Sequence, residues 1–122
     1  MKIPDEILPE IYDTSKKVYE RKLTFSEGAE YLFTHHNLNA NSAKIYIMDF
    51  KYMIEGKGFK RTLNAYSMGF FMKKIKDDYG ITQLKISLSA LQKHIHYYEE
   101  THNTTLNKLR SVYKIYLESI NK

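Results

Sequence analysis

The sequence has 122 residues, with 19 Lys and Arg against 14 Asp and Glu, and a formal net charge of +5. A chain of this length buries enough surface for its own core, so we predict a single domain over residues 1–122. There is no cysteine, which excludes disulfides, thiolate zinc sites and cysteine nucleophiles. No run approaches the ~20 apolar residues of a membrane span, and the first residues lack the apolar stretch of a signal peptide. We therefore expect a cytoplasmic protein with no membrane partner.

Apolar residues recur at steps of three and four along most of the chain, which is the period of amphipathic helices. Thr24 and Glu27 form the pattern of a capping box, and Gly56 and Gly80 stand where helices are expected to end. The residues predicted to point inward include Phe33, Leu88, Leu91, Ile95 and Tyr98. These patterns predict an all-α fold, a compact bundle of five or six helices. In chain order, the predicted helices cover residues 5–21, 24–36, 42–55, 62–79 or 64–79, 82–100 and 104–120 or 105–120. Thr62 or Asn64 is expected to cap the fourth helix and Thr82 the fifth, and Thr104 or Thr105 is expected to open the last.

The second and third predicted helices are joined by a short polar turn over residues 37–41. This spacing is that of a helix-turn-helix, whose second helix can enter the major groove of DNA. Asn41, Ser42 and Lys44 would lie at its leading end, where Asn can pair with adenine and Ser or Lys can contact phosphate. Any helical bundle also contains such a pair, so an ordinary bundle corner stays open as the alternative.

Positive charge is concentrated in residues 57–76, which hold six basic residues and no acidic one. Its first part is predicted to be a flexible loop, in which Thr62 and Asn64 add hydrogen-bonding groups just before a helix. Free amides at a helix start and nearby cations both favour phosphate. A solvated face is the alternative interpretation. The six basic residues are Lys57, Lys60, Arg61, Lys73, Lys74 and Lys76.

The acidic, histidine and tyrosine residues give no catalytic pattern. Asp77 and Asp78 follow Lys73 and Lys74 by about one helical turn, which predicts ion pairing. His94 lies beside an apolar stripe and is expected to be a buried or half-buried hydrogen-bonding residue. His96 is two positions later on the same helix, so the two rings point to different faces and do not share a metal. We predict no metal, no cofactor and no enzymatic activity.

Most of the 11 tyrosines fall on or beside the apolar stripes and are expected to be core residues. Tyr52 and Tyr66 lie near the basic residues and are the better candidates for stacking on bases or contacting phosphate.

Three stretches resemble the N-terminal helical head domain of McrA-like HNH endonucleases, restriction enzymes that recognise modified DNA. The stretches are 53–64, 78–80 and 88–99, and the resemblance extends from about Tyr12 to Tyr113. It implies a DNA-associated helical module that accompanies a nuclease, without the HNH and zinc-holding residues, which belong to another domain. The positions carried over by the resemblance are Lys57, Lys60, Arg61, Thr62 and Asn64.

The charge and the resemblance together predict a non-catalytic DNA-binding module of a restriction or mobile-element system. The alternative is a small protein-interaction module, such as a phage or plasmid inhibitor that binds a defence nuclease. Tyr and Met, which are enriched at protein interfaces, are both frequent in the chain. The predicted nucleic-acid-binding residues are Lys57, Lys60, Arg61, Thr62, Asn64, Lys73, Lys74, Asn41, Ser42 and Lys44.

Overall fold

All regular structure in residues 5–120, which the computed structural model describes, is helical. The all-α prediction is therefore confirmed. No helix in this range is both long enough and apolar enough to cross a bilayer. After a 3-10 turn at Asp5–Ile7, the helices are α1 Leu8–Tyr19, α2 Phe25–His36, α3 Ala40–Glu55, α4 Ala65–Tyr79, α5 Ile81–His102 and α6 Asn107–Ile120.

The chain divides into two compact units, Met1–Lys51 and Tyr52–Lys122, and the division falls inside α3. A single domain over residues 1–122 stays a prediction. Each unit has its own apolar interior, and we describe them separately.

In the first unit, α1, α2 and the first part of α3 enclose aromatic and aliphatic side chains. Tyr12 meets the edge of Phe50, with ring centroids 5.4 Å apart. The prediction for Phe33 is wrong, because its side chain is 54% exposed. Consecutive helical residues lie about 100° apart, so burial of Leu32 turns Phe33 outward. The buried apolar residues of this unit are Leu8, Ile11, Tyr12, Ala29, Leu32, Leu38, Ala43, Tyr46, Ile47 and Phe50.

At the starts of α2 and α4, the side chain of the preceding residue accepts a hydrogen bond from a free backbone amide. At α2 the predicted capping box is confirmed: Thr24 Oγ1 accepts the Glu27 amide at 3.1 Å, and Glu27 Oε1 accepts the Thr24 amide at 2.8 Å. These hydrogen bonds lower the pKa of Glu27. At α4 the capping residue is Asn64, one of the two candidates, whose Oδ1 accepts the Ser67 amide at 2.8 Å.

The starts of other helices are displaced from the predicted ones; α6, for example, begins at Asn107 and not at Thr104 or Thr105. α3 begins at Ala40 instead of Ser42, because Asn39 Oδ1 accepts the amide of Asn41 at 2.8 Å and so caps the helix earlier. α5 begins at Ile81, directly after Gly80, so Thr82 lies within the helix and is not its cap.

In the second unit, α4, α5 and α6 pack around an interior rich in Met, Phe and Leu. Leu88, Leu91 and Ile95 point inward as predicted, whereas Tyr98 is half-buried. The buried apolar residues of this unit are Met53, Ile54, Phe59, Leu63, Met68, Phe71, Met72, Ile75, Leu84, Leu88, Ala90, Leu91, Ile95 and Leu109.

The connection from α5 to α6 is fixed by the carboxylate of Glu99. One of its oxygens accepts both the Leu106 amide and Arg110 Nε, each at 2.7 Å, and Arg110 Nη2 binds the other. Hydrogen bonding from Arg110, and then from Leu106, lowers the pKa of Glu99 to about 2. The carboxylate therefore keeps its charge, and with it this connection, in moderately acidic solution.

Candidate nucleic-acid interface

Residues 57–64, which we call the basic segment, join α3 to α4, and α5 holds the backbone that leads into them. Ser87 Oγ donates to the Met53 carbonyl and Gln83 Nε2 donates to the Ile54 carbonyl, both at 2.9 Å. The last carbonyls of a helix have no partner within the helix. The two α5 side chains therefore complete the C-terminal end of α3.

The next residues approach α5 closely because two of them are glycine. Gly56 ends α3 with φ +73°, and its carbonyl accepts a hydrogen bond from Lys93 Nζ at 2.9 Å. A Cβ atom at Gly58 would lie 2.9 Å from the Cβ of Lys93. A side chain at position 58 would push the basic segment away from α5, so glycine is needed there for the close packing.

Phe59 fastens the middle of the basic segment to His94. Its buried ring stacks on the imidazole, with centroids 4.2 Å apart and planes 14° apart. Its carbonyl lies 2.6 Å from His94 Nδ1, so that nitrogen carries the proton and donates it. Leu63 is also buried. The basic segment is a loop, as predicted, and it is anchored at both of its apolar residues.

Lys60 and Arg61 lie between these two anchors and are exposed. Lys60 Nζ stands 5.9 Å from the centroid of the Tyr97 ring, which is a cation–π distance. Within residues 5–120 neither side chain forms an ion pair. Their charges are therefore available to an anionic partner.

The other predicted cations are partly neutralised. Lys57 lies 3.4 Å from a Glu55 oxygen. Lys73 lies 3.2 Å from Asp77, which confirms the predicted pairing one turn apart. Exposed pairs of this kind are weak and exchange with solvent. Lys57 and Lys73 therefore remain candidates, but with less free charge than Lys60 and Arg61. Lys74 is half-buried.

The polar residues at the end of the basic segment, Thr62 and Asn64, form hydrogen bonds with nearby backbone groups. Thr62 is exposed, and its hydroxyl donates to the Leu63 carbonyl at 3.2 Å. Asn64 uses its carbonyl oxygen as the α4 cap, which leaves its NH₂ group as the donor for a ligand. Of the two candidate stacking tyrosines, Tyr66 is 59% exposed, whereas Tyr52 is half-buried.

In the first unit, the turn between α2 and α3 covers only residues 37–39, shorter than predicted. Asn41 and Lys44 are exposed and lie about one turn apart on the same face of α3, whereas Ser42 is half-buried. The helix-turn-helix spacing is present, and a recognition role for α3 stays a prediction.

Sequence reasoning missed Lys93 and Tyr97. They are four residues apart on α5 and therefore share a face, next to Gly58 and Lys60 respectively. The spacing was visible in the sequence, but its connection to the basic segment depends on contacts between distant residues.

Within residues 5–120, no three His, Asp or Glu side chains are grouped so that they could hold a metal ion. The chemistry of the basic segment is thus that of cations, amide donors and exposed tyrosine rings. Comparison of the chain with protein-family models, curated proteins and solved structures found no significant match.

Proposed function

We propose that the chain is a non-catalytic DNA-binding module whose basic segment contacts the phosphate backbone. The observation that carries the proposal is the pair Lys60 and Arg61, two adjacent exposed cations without a carboxylate partner among residues 5–120. The resemblance to the McrA-like head domain supports the same function and suggests a restriction or mobile-element system.

The fixed backbone strengthens this proposal. Phe59 and Leu63 are buried on either side of the two cations, so little backbone entropy is lost when they bind. Arg61 offers a planar fork of donors suited to phosphate, and Lys60 offers a point charge. Lys57 and Lys93 are exposed on neighbouring positions and add to the positive field. Asn41 and Lys44 on α3 are the proposed additional contacts.

The test is fluorescence anisotropy with labelled duplex and single-stranded DNA over a salt series. The double variant Lys60→Glu/Arg61→Glu is expected to bind duplex DNA about 100-fold more weakly at low salt, because two attractive contacts become repulsive. The slope of log affinity against log salt should shrink by about two.

The matched control is Lys108→Glu/Lys114→Glu, which makes the same charge change at exposed positions of α6. Equal weakening by both double variants would mean that only net charge matters, and would contradict a site at the basic segment. Absence of binding by the parent protein to either DNA at low salt would also overturn the proposal.

The alternative function, a protein-interaction module, is favoured by exposed aliphatic side chains on α6. Ile115 is 60% exposed and Leu117 is 41% exposed, and Leu109 is the buried residue of this helix. A nuclease that co-purifies with the parent, but not with Ile115→Ser/Leu117→Ser, would support this alternative. Retention of that nuclease by the Ser variant would count against it.

A further inference from the structure

His94 is the one described histidine that is completely buried, and its two ring nitrogens are in different situations. Nδ1 donates to the Phe59 carbonyl at 2.6 Å. Nε2 is enclosed and has no hydrogen-bond partner within residues 5–120. The ring is therefore held as the neutral tautomer, with a lone pair on Nε2 facing the interior.

Protonation of Nε2 would place a cation and an unsatisfied N–H donor in the interior, and both are costly. Nearby charges do not offset this cost. The ring centroid of Tyr98 lies 5.8 Å from that of His94, and the Glu99 carboxylate is bound to Arg110. Lys93 is directed at the Gly56 carbonyl and Lys60 at the Tyr97 ring.

Two pairs of charged groups near the neighbouring helices are bound to each other and not to His94. Glu55 at the end of α3 pairs with Lys57, and Lys73 pairs with Asp77 on α4. On α6, Tyr116 interacts electrostatically with the Lys73–Asp77 pair. Burial is the main influence on the pKa of His94 and lowers it, and the Phe59 carbonyl raises it in part.

We propose that His94 is a positioning residue for DNA binding: its neutral ring latches Phe59, and its protonation releases the basic segment, so that Lys60 and Arg61 lose their fixed positions. This inference rests on the proposed function for its effect on DNA, but the latch itself can be measured without DNA.

The direction of the pH effect follows from linkage. When the latch opens, the exposed ring regains an ordinary pKa near 6.5, whereas in the latched form its pKa is lower. The open form therefore binds the proton more tightly. The equilibrium constant for opening is expected to rise about tenfold per pH unit below 6.5, until the pKa of the latched form is reached. Above that range the latch is at full strength.

The first experiment is NMR of the unmodified protein between about pH 8 and pH 5, the range in which histidines titrate. The His94 ring should be the Nδ1–H tautomer at high pH. On acidification, the backbone signals of residues 57–63 should shift, and their amide exchange, corrected for its intrinsic pH dependence, should rise about tenfold per unit. Amides of α4 should stay protected. Protonation of His94 without change in residues 57–63, or loss of α4 protection together with the basic segment, would overturn the latch.

The second measurement compares DNA affinity at about pH 7.5 and 5.5 in three proteins. His94→Asn keeps an amide N–H near the Nδ1 position but does not titrate, and His96→Asn changes an exposed ring on the same helix. The parent and His96→Asn should lose at least about fivefold in affinity in acid, and His94→Asn should not. Equal acid sensitivity of all three would refute the role of His94 in binding. A latch that opens in the NMR titration of a protein that binds no DNA at any pH would instead refute the proposed function and leave the latch standing.

Discussion

The two connections that flank α3 are stabilised in opposite ways. The turn before it, residues 37–39, uses partners close in sequence: the Leu38 amide donates to the Leu32 carbonyl at 3.1 Å, and Asn39 caps the helix that it precedes. Asn37 adopts the left-handed conformation that ends α2. Every one of these interactions is set by a few neighbouring residues.

The connection after α3 is held by residues far away in sequence. The carbonyls of Met53 and Ile54 at the end of α3, and those of Gly56 and Phe59 beyond it, are bound by α5 side chains 29 to 37 positions later. The first turn is therefore encoded locally, whereas the basic segment takes its shape only when α5 is packed against it. Substitutions in the two connections should separate these cases.

The largest effect is expected from Phe59→Ala, which removes a buried ring and its stacking on His94. The free energy of unfolding should fall by about 3–5 kcal/mol in urea denaturation. Phe33→Ala, at a largely exposed ring of the first unit, should cost less than about 1 kcal/mol. If the two variants lost similar free energy of unfolding, the burial of Phe59 would not be what stabilises the basic segment.

A smaller effect is expected from Ser87→Ala, which removes the donor to the Met53 carbonyl. The loss should be about 1.5 kcal/mol, because the Gly56 amide, at 3.3 Å, remains as a second partner of that carbonyl. Ser89→Ala, an exposed serine on the same helix, is the control and should be close to neutral. Amide exchange of Lys57 should accelerate only in the Ser87 variant; unchanged exchange would contradict the long-range attachment.

The smallest effect is expected from Asn39→Ala, which removes the cap of α3. The cost should be about 1 kcal/mol, seen as faster amide exchange of Asn41 and Ser42, while residues 57–63 stay unchanged. Asn41→Ala is the control, because the side chain of Asn41 is exposed. If Asn39→Ala also loosened the basic segment, the division between local and long-range stabilisation would be wrong.

The contrast between local and long-range interactions also explains how much of the structure could be predicted from the sequence. Helical periodicity and capping patterns are local, so the six helices, the Thr24–Glu27 box and the Lys73–Asp77 pair follow from residues within a turn of each other. The start of α3 was displaced by two residues because Asn39 and Asn41 are both able to cap a helix.

The candidate interface was predictable in composition and not in geometry. The uncompensated charges of Lys60 and Arg61 were visible as a run of basic residues. That Phe59 would be buried against His94, and that Lys93 and Tyr97 would adjoin the basic segment, depends on the pairing of α5 with a segment more than 30 residues earlier. No local pattern specifies that register.

The Glu99–Arg110 contact gives α5 two attachments with different tolerance of acid. Its carboxylate pKa is lowered from 4.5 to about 2, so this contact keeps its full strength down to about pH 4.5. The His94 latch weakens already below 6.5. Between these limits, mild acid should produce a stepwise opening in which the basic segment detaches while α6 remains docked. α5 would then lose its contact with the basic segment while it keeps its contact with α6.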